Sequence, residues 1–184
     1  MGKLDKDYFY GQLQIADVTN TAVEKNLLYF IAMYEETFLE LLLGKSLYDA
    51  YKVGIAVLPT PAAKWTALDQ QLYQISGIAP NQTKLSPAAH YVYWFWMRDQ
   101  VTQTTASGEK ILNPDKSISV GNAQKVKLAW NAMVTRNRNI QSWIKTNVAD
   151  YPEWVEPVWD TSTEETKQLY KDRVNIIKTL IPHF

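Results

Sequence analysis

The feature that most constrains the fold is an apolar run in the middle of the chain, Tyr91-Val92-Tyr93-Trp94-Phe95-Trp96-Met97. It follows Ser86-Pro87, and because proline favours the first position of a helix, the run is predicted to lie in a helix that is apolar on every side. A strand is the alternative, since many of these residue types favour strands. The charged residues Arg98 and Asp99 follow the apolar run and are expected at the surface. Such a helix must be covered all round, so the sequence predicts it as the central helix of a bundle.

A second helix is predicted, and the sequence indicates both where it begins and where it ends. Thr21 and Glu24 stand at capping-box spacing, which is typical of a helix start. From there to Leu43, apolar residues recur at intervals of three and four, as on one face of a helix. Gly44 occupies the position of a C-terminal cap.

Periodicity and turn residues predict four further helices and a lead-in. Gly54 is expected to stop the helix at 45–51. Ile75 is expected on the apolar face of the helix at 61–75, and residues 76–86 are expected to form a loop. Residues 8–15 are an irregular lead-in or a short strand. The four helices are expected at 45–51, 61–75, 122–148 and 163–181.

The segment Thr102–Val120 has a different character from the helices around it. It is rich in residues that favour extended structure, and it contains the turn sequences Ser107-Gly108 and Asn113-Pro114-Asp115-Lys116. An isolated hairpin is marginal in water and needs a neighbour to pair with. The prediction is therefore a mainly α protein: one domain over 1–184, a bundle of about five to six helices with a projecting β-hairpin or extended arm at 102–120, between the fourth and fifth helices.

Charge and cysteine content exclude several classes of function. Lys+Arg and Asp+Glu both number 19, and there is no cysteine. The absence of a net basic charge argues against an autonomous nucleic-acid-binding module. The absence of cysteine removes disulfides, thiolate nucleophiles and cysteine-based metal sites. The sequence has no signal-peptide pattern and no apolar run of membrane-spanning length, so no membrane partner is expected.

The residues that could carry catalysis do not form a known pattern. His90 and His183 are the two histidines; His90 is expected to be structural and His183 exposed. Glu35, Glu36 and Glu40 are expected on the solvated face of their helix. No phosphate-binding glycine loop and no nucleophile elbow occurs, so no catalytic, cofactor-binding or metal-binding residue is assigned and no cofactor is expected. A solvated face is also expected for the basic residues of the 122–148 helix: Lys125, Lys127, Arg136, Arg138 and Lys145.

Three stretches in this order resemble a known family. They are Glu35-Glu36-Thr37-Phe38-Leu39-Glu40-Leu41-Leu42-Leu43-Gly44-Lys45-Ser46-Leu47-Tyr48, then Arg98-Asp99-Gln100-Val101-Thr102-Gln103-Thr104-Thr105 with Gly108-Glu109, and Lys127-Leu128-Ala129-Trp130-Asn131-Ala132-Met133-Val134. Together they are similar to the head–tail connector proteins, also called portal adaptors or ring proteins, of tailed bacteriophages that infect Bacteroidetes, including crAss-like phages. The resemblance covers about residues 20–150.

The resemblance implies a structural virion protein of the neck region, assembled in the host cytoplasm. Such proteins form rings, usually of twelve copies, beneath the portal; the ring extends the DNA channel, without sequence-specific binding, and carries other neck or tail proteins. The arm would contact a neighbouring subunit, and 154–184 could dock on the portal. Candidate interface residues are Thr105, Ile111, Ile118, Val120, Trp154, Trp159 and Phe184.

Two other classes of function stay open at the level of sequence. A non-viral helical interaction or regulatory module would form a stable small oligomer with a groove for a peptide or small ligand. An enzyme with an unrecognised carboxylate or histidine site would have a pocket with converging polar groups around His90 or Glu36.

Overall fold

The computed structural model describes residues 2–77, 82–105, 108–111 and 120–155, with side chains at 2–77, 82–99 and 124–155. Contacts within the chain divide it between Trp154 and Val155, and the helices and strands given below belong to the first unit. The predicted helix at 163–181 lies outside the described residues. The prediction of a single domain over 1–184 stays a prediction.

The described part is mainly helical, with two small antiparallel hairpins. A two-stranded hairpin joins the fourth and fifth helices, as predicted. A second hairpin follows the third helix. The helices are α1 (Thr21–Leu43), α2 (Lys45–Ile55), α3 (Ala63–Leu72), α4 (Pro87–Val101) and α5 (Val120–Thr146); the strands are β1 (Gln74–Ser76), β2 (Thr83–Leu85), β3 (Thr102–Thr105) and β4 (Gly108–Ile111); short 3-10 turns lie at Lys6–Tyr8, Gly11–Leu13 and Val148–Asp150.

Helix α4 carries the apolar run and packs mainly against α1 and α5. Tyr93 and Trp94 are fully buried. On the α1 side, the rings of Tyr34 and Phe95 stack with centroids 4.0 Å apart, and on the α5 side Trp94 meets Trp130 at 5.4 Å. Stacked and edge-on aromatic pairs add to the free energy gained by burying their area. The predicted helix is confirmed, and the alternative of a strand is wrong.

Helix α1 has the predicted bounds but a different N-cap. The side-chain oxygen of Asn20 accepts from the backbone N–H of Ala22 at 2.9 Å, so the cap lies one residue before the predicted Thr21. Glu24 binds the Lys6 ammonium at 3.0 Å instead of closing a capping box. Gly44 ends the helix as predicted, at φ 78°, and its N–H donates to Glu40 O. Glycine adopts a positive φ at little cost in energy, which explains why a glycine occupies this position at the helix end.

Helix α2 does not stop at Gly54, contrary to the sequence-based prediction. It continues to Ile55, and the Trp65 indole of α3 occupies the space that a Cβ at position 54 would need. Gly54 therefore allows α3 to pack closely on α2. Helix α3 is shorter than predicted at both ends, and Ile75 lies exposed in β1. Residues 76–86 are not all loop, since they contain β2.

Residues 2–18, here named the strap, pack along the bundle. Two 3-10 turns shape the strap, so the prediction of a strand at 8–15 is wrong. It contacts α1, α4, α5 and β2. Six apolar side chains anchor it by burial: Leu4, Tyr8, Phe9, Leu13, Ile15 and Val18. Burying a large apolar side chain stabilises by about 1.5–3 kcal/mol, so the strap is an integral part of the core.

Helix α5 begins and ends two residues earlier than predicted. Val120, predicted as the last residue of the arm, is the first residue of the helix. Val148, predicted on the apolar face, is exposed in the 3-10 turn that follows. The buried face of α5 includes Met133, Ile140 and Ile144, as the spacing indicated.

Candidate interaction surfaces and cavity

The hairpin of β3 and β4 is the first candidate surface. Its register pairs Thr102 with Ile111 and Thr105 with Gly108. Among the described residues, each of these two strands pairs only with the other. Thr105 and Ile111 lie at opposite ends of the ladder. Each strand therefore has a second edge whose backbone groups are not used in the sheet.

The remaining predicted interface residues are spread along the chain. Val120 begins α5. Trp154 is only 8% exposed, so its side chain is mostly covered by its own chain. Its backbone N–H donates to Tyr151 O at 3.0 Å. Ile118, Trp159 and Phe184 lie outside the described residues. The interface roles of all seven residues stay predictions.

A second candidate surface, here named the α1 patch, consists of Leu28, Tyr29 and Met33. All three are exposed although they are large and apolar. Their helical spacing places them on neighbouring turns of one side of α1. The sequence analysis missed this patch, but a signal was present: residues 27–31 are all apolar, and no helix can turn five consecutive residues toward one core.

Glu35 is a buried carboxylate in α1, only 2% exposed. Its Oε1 accepts three hydrogen bonds: from Lys3 N at 2.8 Å, from Leu4 N at 3.1 Å and from the Tyr73 hydroxyl at 2.6 Å. Burial, together with the charge of Glu35, raises the pKa of Tyr73 well above its usual value, so the hydroxyl keeps its proton. The Glu35 carboxylate thus holds the strap to α1 and to the residue that follows α3.

The prediction of a solvated position for Glu35 is wrong. Its spacing from Ile31 and Leu39 places it on the buried face, and this spacing was the available signal. Glu36, one residue on, is exposed as predicted and binds the Lys52 ammonium at 2.5 Å. The hydrogen bond from Lys52 lowers the pKa of Glu36.

A second set of polar contacts is centred on Asp69. Asp69 of α3 accepts from the Lys3 ammonium at 2.5 Å and from the Tyr51 hydroxyl at 2.6 Å, both at Oδ1. Burial raises the pKa of Tyr51, with the Asp69 hydrogen bond as the next cause. Strap, α2 and α3 therefore meet at one carboxylate.

A cavity of about 520 Å³ lies between the strap, β2 and the start of α4. A volume of this size is within the range of small-molecule sites. Two of the lining residues form an ion pair: the Lys84 ammonium binds Asp7 at 3.1 Å, and it also binds Asp5, which does not line the cavity, at 2.5 Å. The lining residues are Asp7, Tyr8, Tyr10, Gly11, Gln12, Leu13, Gln82, Thr83, Lys84, Leu85 and His90.

His90 lines this cavity and is only 2% exposed. Its Nδ1 lies 2.9 Å from Ser86 O. A carbonyl oxygen can only accept, so Nδ1 donates and Nε2 presents a lone pair. Burial lowers the pKa of His90 to about 4. This histidine is neutral at pH 7, and its hydrogen bond joins the ring to Ser86, the residue before α4. Its structural role stays a prediction.

The pH dependence of stability tests the environment of His90. Between pH 7 and pH 5 the unfolded chain takes up a proton at this histidine and the folded chain does not, because its folded pKa is about 4. The free energy of unfolding should therefore fall by about 2 kcal/mol over this interval. Urea unfolding at both pH values measures the difference, and His90→Gln should reduce it; an unchanged difference would contradict the assignment.

The basic residues of α5 differ in their surroundings. Lys125, Lys127 and Arg138 are exposed, as predicted. Arg136 is half-buried, and its guanidinium donates to Gln74 Oε1 at 3.4 Å. Burial lowers the pKa of Arg136. This residue helps to join α5 to β1.

The described residues contain no group of three or more His, Cys, Asp and Glu side chains that could hold a metal ion. Among the helices described here, none is both long and apolar enough to cross a membrane. Comparisons with family models, with curated proteins and with solved structures give no match to this chain.

Proposed function

We propose that this chain is a head–tail connector subunit of a tailed bacteriophage, which forms a ring under the portal. The observation that carries the proposal is the β3–β4 hairpin, inserted between two long helices and paired only with itself among the described residues. The resemblance of three sequence stretches to portal adaptors supplies the specific role. The proposed partners are further copies of the chain, twelve in all, the portal protein, and other neck or tail proteins.

The hairpin has the geometry for strand addition by a neighbour. Two residues separate Thr105 from Gly108, and a two-residue connection closes on a hydrogen-bonded pair. Pairs alternate along an antiparallel ladder, so the N–H and C=O groups of Thr104 and Glu109 point away from the partner strand. A strand from a second subunit would satisfy these groups.

Ring closure needs two different surfaces on each subunit, because the contacts are heterologous. The hairpin supplies one surface in this proposal, and the α1 patch supplies exposed apolar area of the kind found at interfaces. The balance of 19 basic and 19 acidic residues leaves little net charge to oppose association. Packaged DNA passes through the lumen without sequence-specific contacts, in the neck of the virion.

Light scattering coupled to size-exclusion chromatography, with and without a portal protein from the same genome, tests the proposal. We expect a ring of defined subunit number on the portal, visible by electron microscopy. A chain that ignores the portal, or one that forms a stable small oligomer and binds peptides instead, would favour a helical interaction module.

A proline at position 104 tests the hairpin edge. Thr104→Pro removes an N–H that points outward from the ladder, so the hairpin and the bundle should persist while pairing with a neighbour is lost. Assembly on the portal should fall at least tenfold, which corresponds to about 1.4 kcal/mol. Size-exclusion chromatography with portal measures it.

Thr104→Ala is the matched control, because it changes the same side chain and keeps the N–H. It should assemble like the unaltered chain. Equal losses in the alanine and proline variants would show that the side chain, not the backbone edge, matters. Unimpaired assembly of the proline variant would remove the hairpin edge from the proposal.

A further inference from the structure

We infer that the exposed side of α5 is a contact surface for the phosphate backbone of duplex DNA. This surface, here named the α5 basic side, is defined by the exposed residues Lys127, Asn131 and Arg138. It deepens the proposed function and rests on it for the source of the DNA, which is the genome that passes through a ring under the portal.

Helix α5 contains no aspartate and no glutamate, although the whole chain has as many acidic residues as basic ones. Its charged residues are all basic: Lys125, Lys127, Arg136, Arg138 and Lys145. Charge that is concentrated on one element produces a local potential whatever the net charge of the chain. The chain is therefore neutral overall but strongly positive along this helix.

Two of these cations lie on one side of the helix. Lys127 and Arg138 are eleven residues apart, which is close to three full turns, and both are exposed. Met133 and Ile140 are buried on the side that faces the bundle. Within the described part of the chain, neither Lys127 nor Arg138 has a carboxylate partner. Lys145 continues the same side but already takes part in an interaction of its own.

The distance between the two cations fits a duplex. Eleven residues of α-helix correspond to about 16 Å along the axis. The major groove of B-DNA is about 12 Å wide, so a helix that lies across it can bring Lys127 to one phosphate strand and Arg138 to the other. Contacts to phosphate carry no sequence information, which agrees with a channel that must pass every sequence of the genome.

The group between the two cations also suits a phosphate backbone. Asn131 lies one turn after Lys127 and is exposed. Asparagine side chains are among those that donate hydrogen bonds to phosphate oxygens in protein–DNA complexes. The α5 basic side therefore offers two cations and a neutral donor, with no carboxylate on its own helix to repel a polyanion.

An acidic protein surface is the main alternative partner. The centre of a protein interface is typically rich in aromatic residues and poor in charged ones. Along residues 124–146, α5 exposes one large apolar side chain, Leu128, whereas α1 exposes Leu28, Tyr29 and Met33. The α5 basic side thus resembles a protein interface less than the α1 patch does, and DNA is the partner that its charge favours.

Amide NMR of the whole chain, titrated at low salt with a short DNA duplex of mixed sequence, tests the surface. Saturable shifts are expected at Lys127, Asn131 and Arg138. The double variant Lys127→Gln/Arg138→Gln should bind about tenfold more weakly, and its slope of log affinity against log salt should be smaller by about 1.8, because each phosphate contact contributes about 0.9. An absence of saturable shifts with the duplex would overturn the inference.

Lys125→Gln is the matched control. It removes the same charge from the same helix, but Lys125 is two residues from Lys127 and so lies on another side. Its affinity for the duplex should stay close to that of the unaltered chain. A loss as large as that of Lys127→Gln would overturn the inference, because it would show an effect of net charge alone. Equal binding of a polyglutamate peptide would overturn it in favour of an acidic protein partner.

Assembly on the portal separates this inference from the proposed function. The double variant should assemble like the unaltered chain, because the hairpin and the α1 patch are unchanged. Normal assembly with unaltered duplex binding would overturn the DNA surface and leave the connector proposal intact. Loss of assembly in the double variant would assign the α5 basic side to a protein contact and overturn the DNA surface as well. An unaltered chain that binds the duplex through α5 but ignores the portal would support the DNA surface and contradict the connector proposal.

Discussion

Glu35→Ala is expected to lower the free energy of unfolding by about 3–5 kcal/mol. It leaves Lys3 N, Leu4 N and the Tyr73 hydroxyl without their acceptor. Each unsatisfied buried donor costs about 1–3 kcal/mol. The expected total is less than three times the upper value because water can enter the space left by the side chain and bind some of the donors. The start of the strap should also become less protected, because the N–H groups of Lys3 and Leu4 lose their acceptor. Urea unfolding at pH 7 measures the first effect, and hydrogen exchange of the strap amides measures the second.

The neighbouring glutamate provides a matched control for this prediction. Glu36→Ala removes the same group from the next residue of the same helix, but its partner Lys52 is at the surface. An exposed ion pair contributes about 0–1 kcal/mol. Glu35→Gln keeps an acceptor oxygen and loses the charge, so its effect should lie between the two alanine variants. Equal effects at positions 35 and 36 would show that the buried carboxylate does not hold the strap.

Gly54→Ala is expected to lower the free energy of unfolding by about 2 kcal/mol, although alanine is the better helix former by about 1 kcal/mol. The added Cβ would overlap three atoms of the Trp65 indole. Trp65 also packs against Tyr151, with ring centroids 6.0 Å apart, which limits how far it can move. Overpacking of a core costs about 1–3 kcal/mol and occasionally more.

A double substitution makes this prediction specific to the indole. In a Trp65→Leu background the space above position 54 is open, so Gly54→Ala should become neutral or stabilising through helix propensity. Thermal or urea unfolding of the four proteins gives the coupling free energy. If alanine destabilises equally in both backgrounds, the cause is the backbone of α2 rather than contact with Trp65.

Two glycines show what local sequence can predict and what it cannot. Gly44 ends α1 with a positive φ, which is a local backbone requirement, and its position after an apolar-periodic segment revealed it. Gly54 has the same sequence signature but lies inside a helix, because an indole from another helix needs the space. The second reason depends on a packing contact eleven positions along the chain, which no helix-stop rule includes.

The candidate sites also divide into features set by local sequence and features set by long-range packing. The hairpin at 102–111 was predictable, because β-favouring residues and turn residues are neighbours in sequence. Glu35 was predictable in position from its spacing, but its partners at 3, 4 and 73 were not. The cavity combines residues 7–13 with 82–90, and the acceptor of His90 depends on a tautomer set by Ser86 O. These properties arise from long-range packing, so periodicity alone does not contain them.

The hydrogen bonds of Glu35 also affect the order in which parts of the chain can dock during synthesis. Residues 3 and 4 leave the ribosome well before Tyr73, the third donor to the same oxygen. Asp69, which binds the Lys3 ammonium, is equally late. A nascent chain that has made α1 and α2 can pack those helices on each other, while residues 2–18 still lack part of their docking surface. Residues 2–18 should thus reach their native position only after residues 69 and 73 have been synthesised, although they are translated before them.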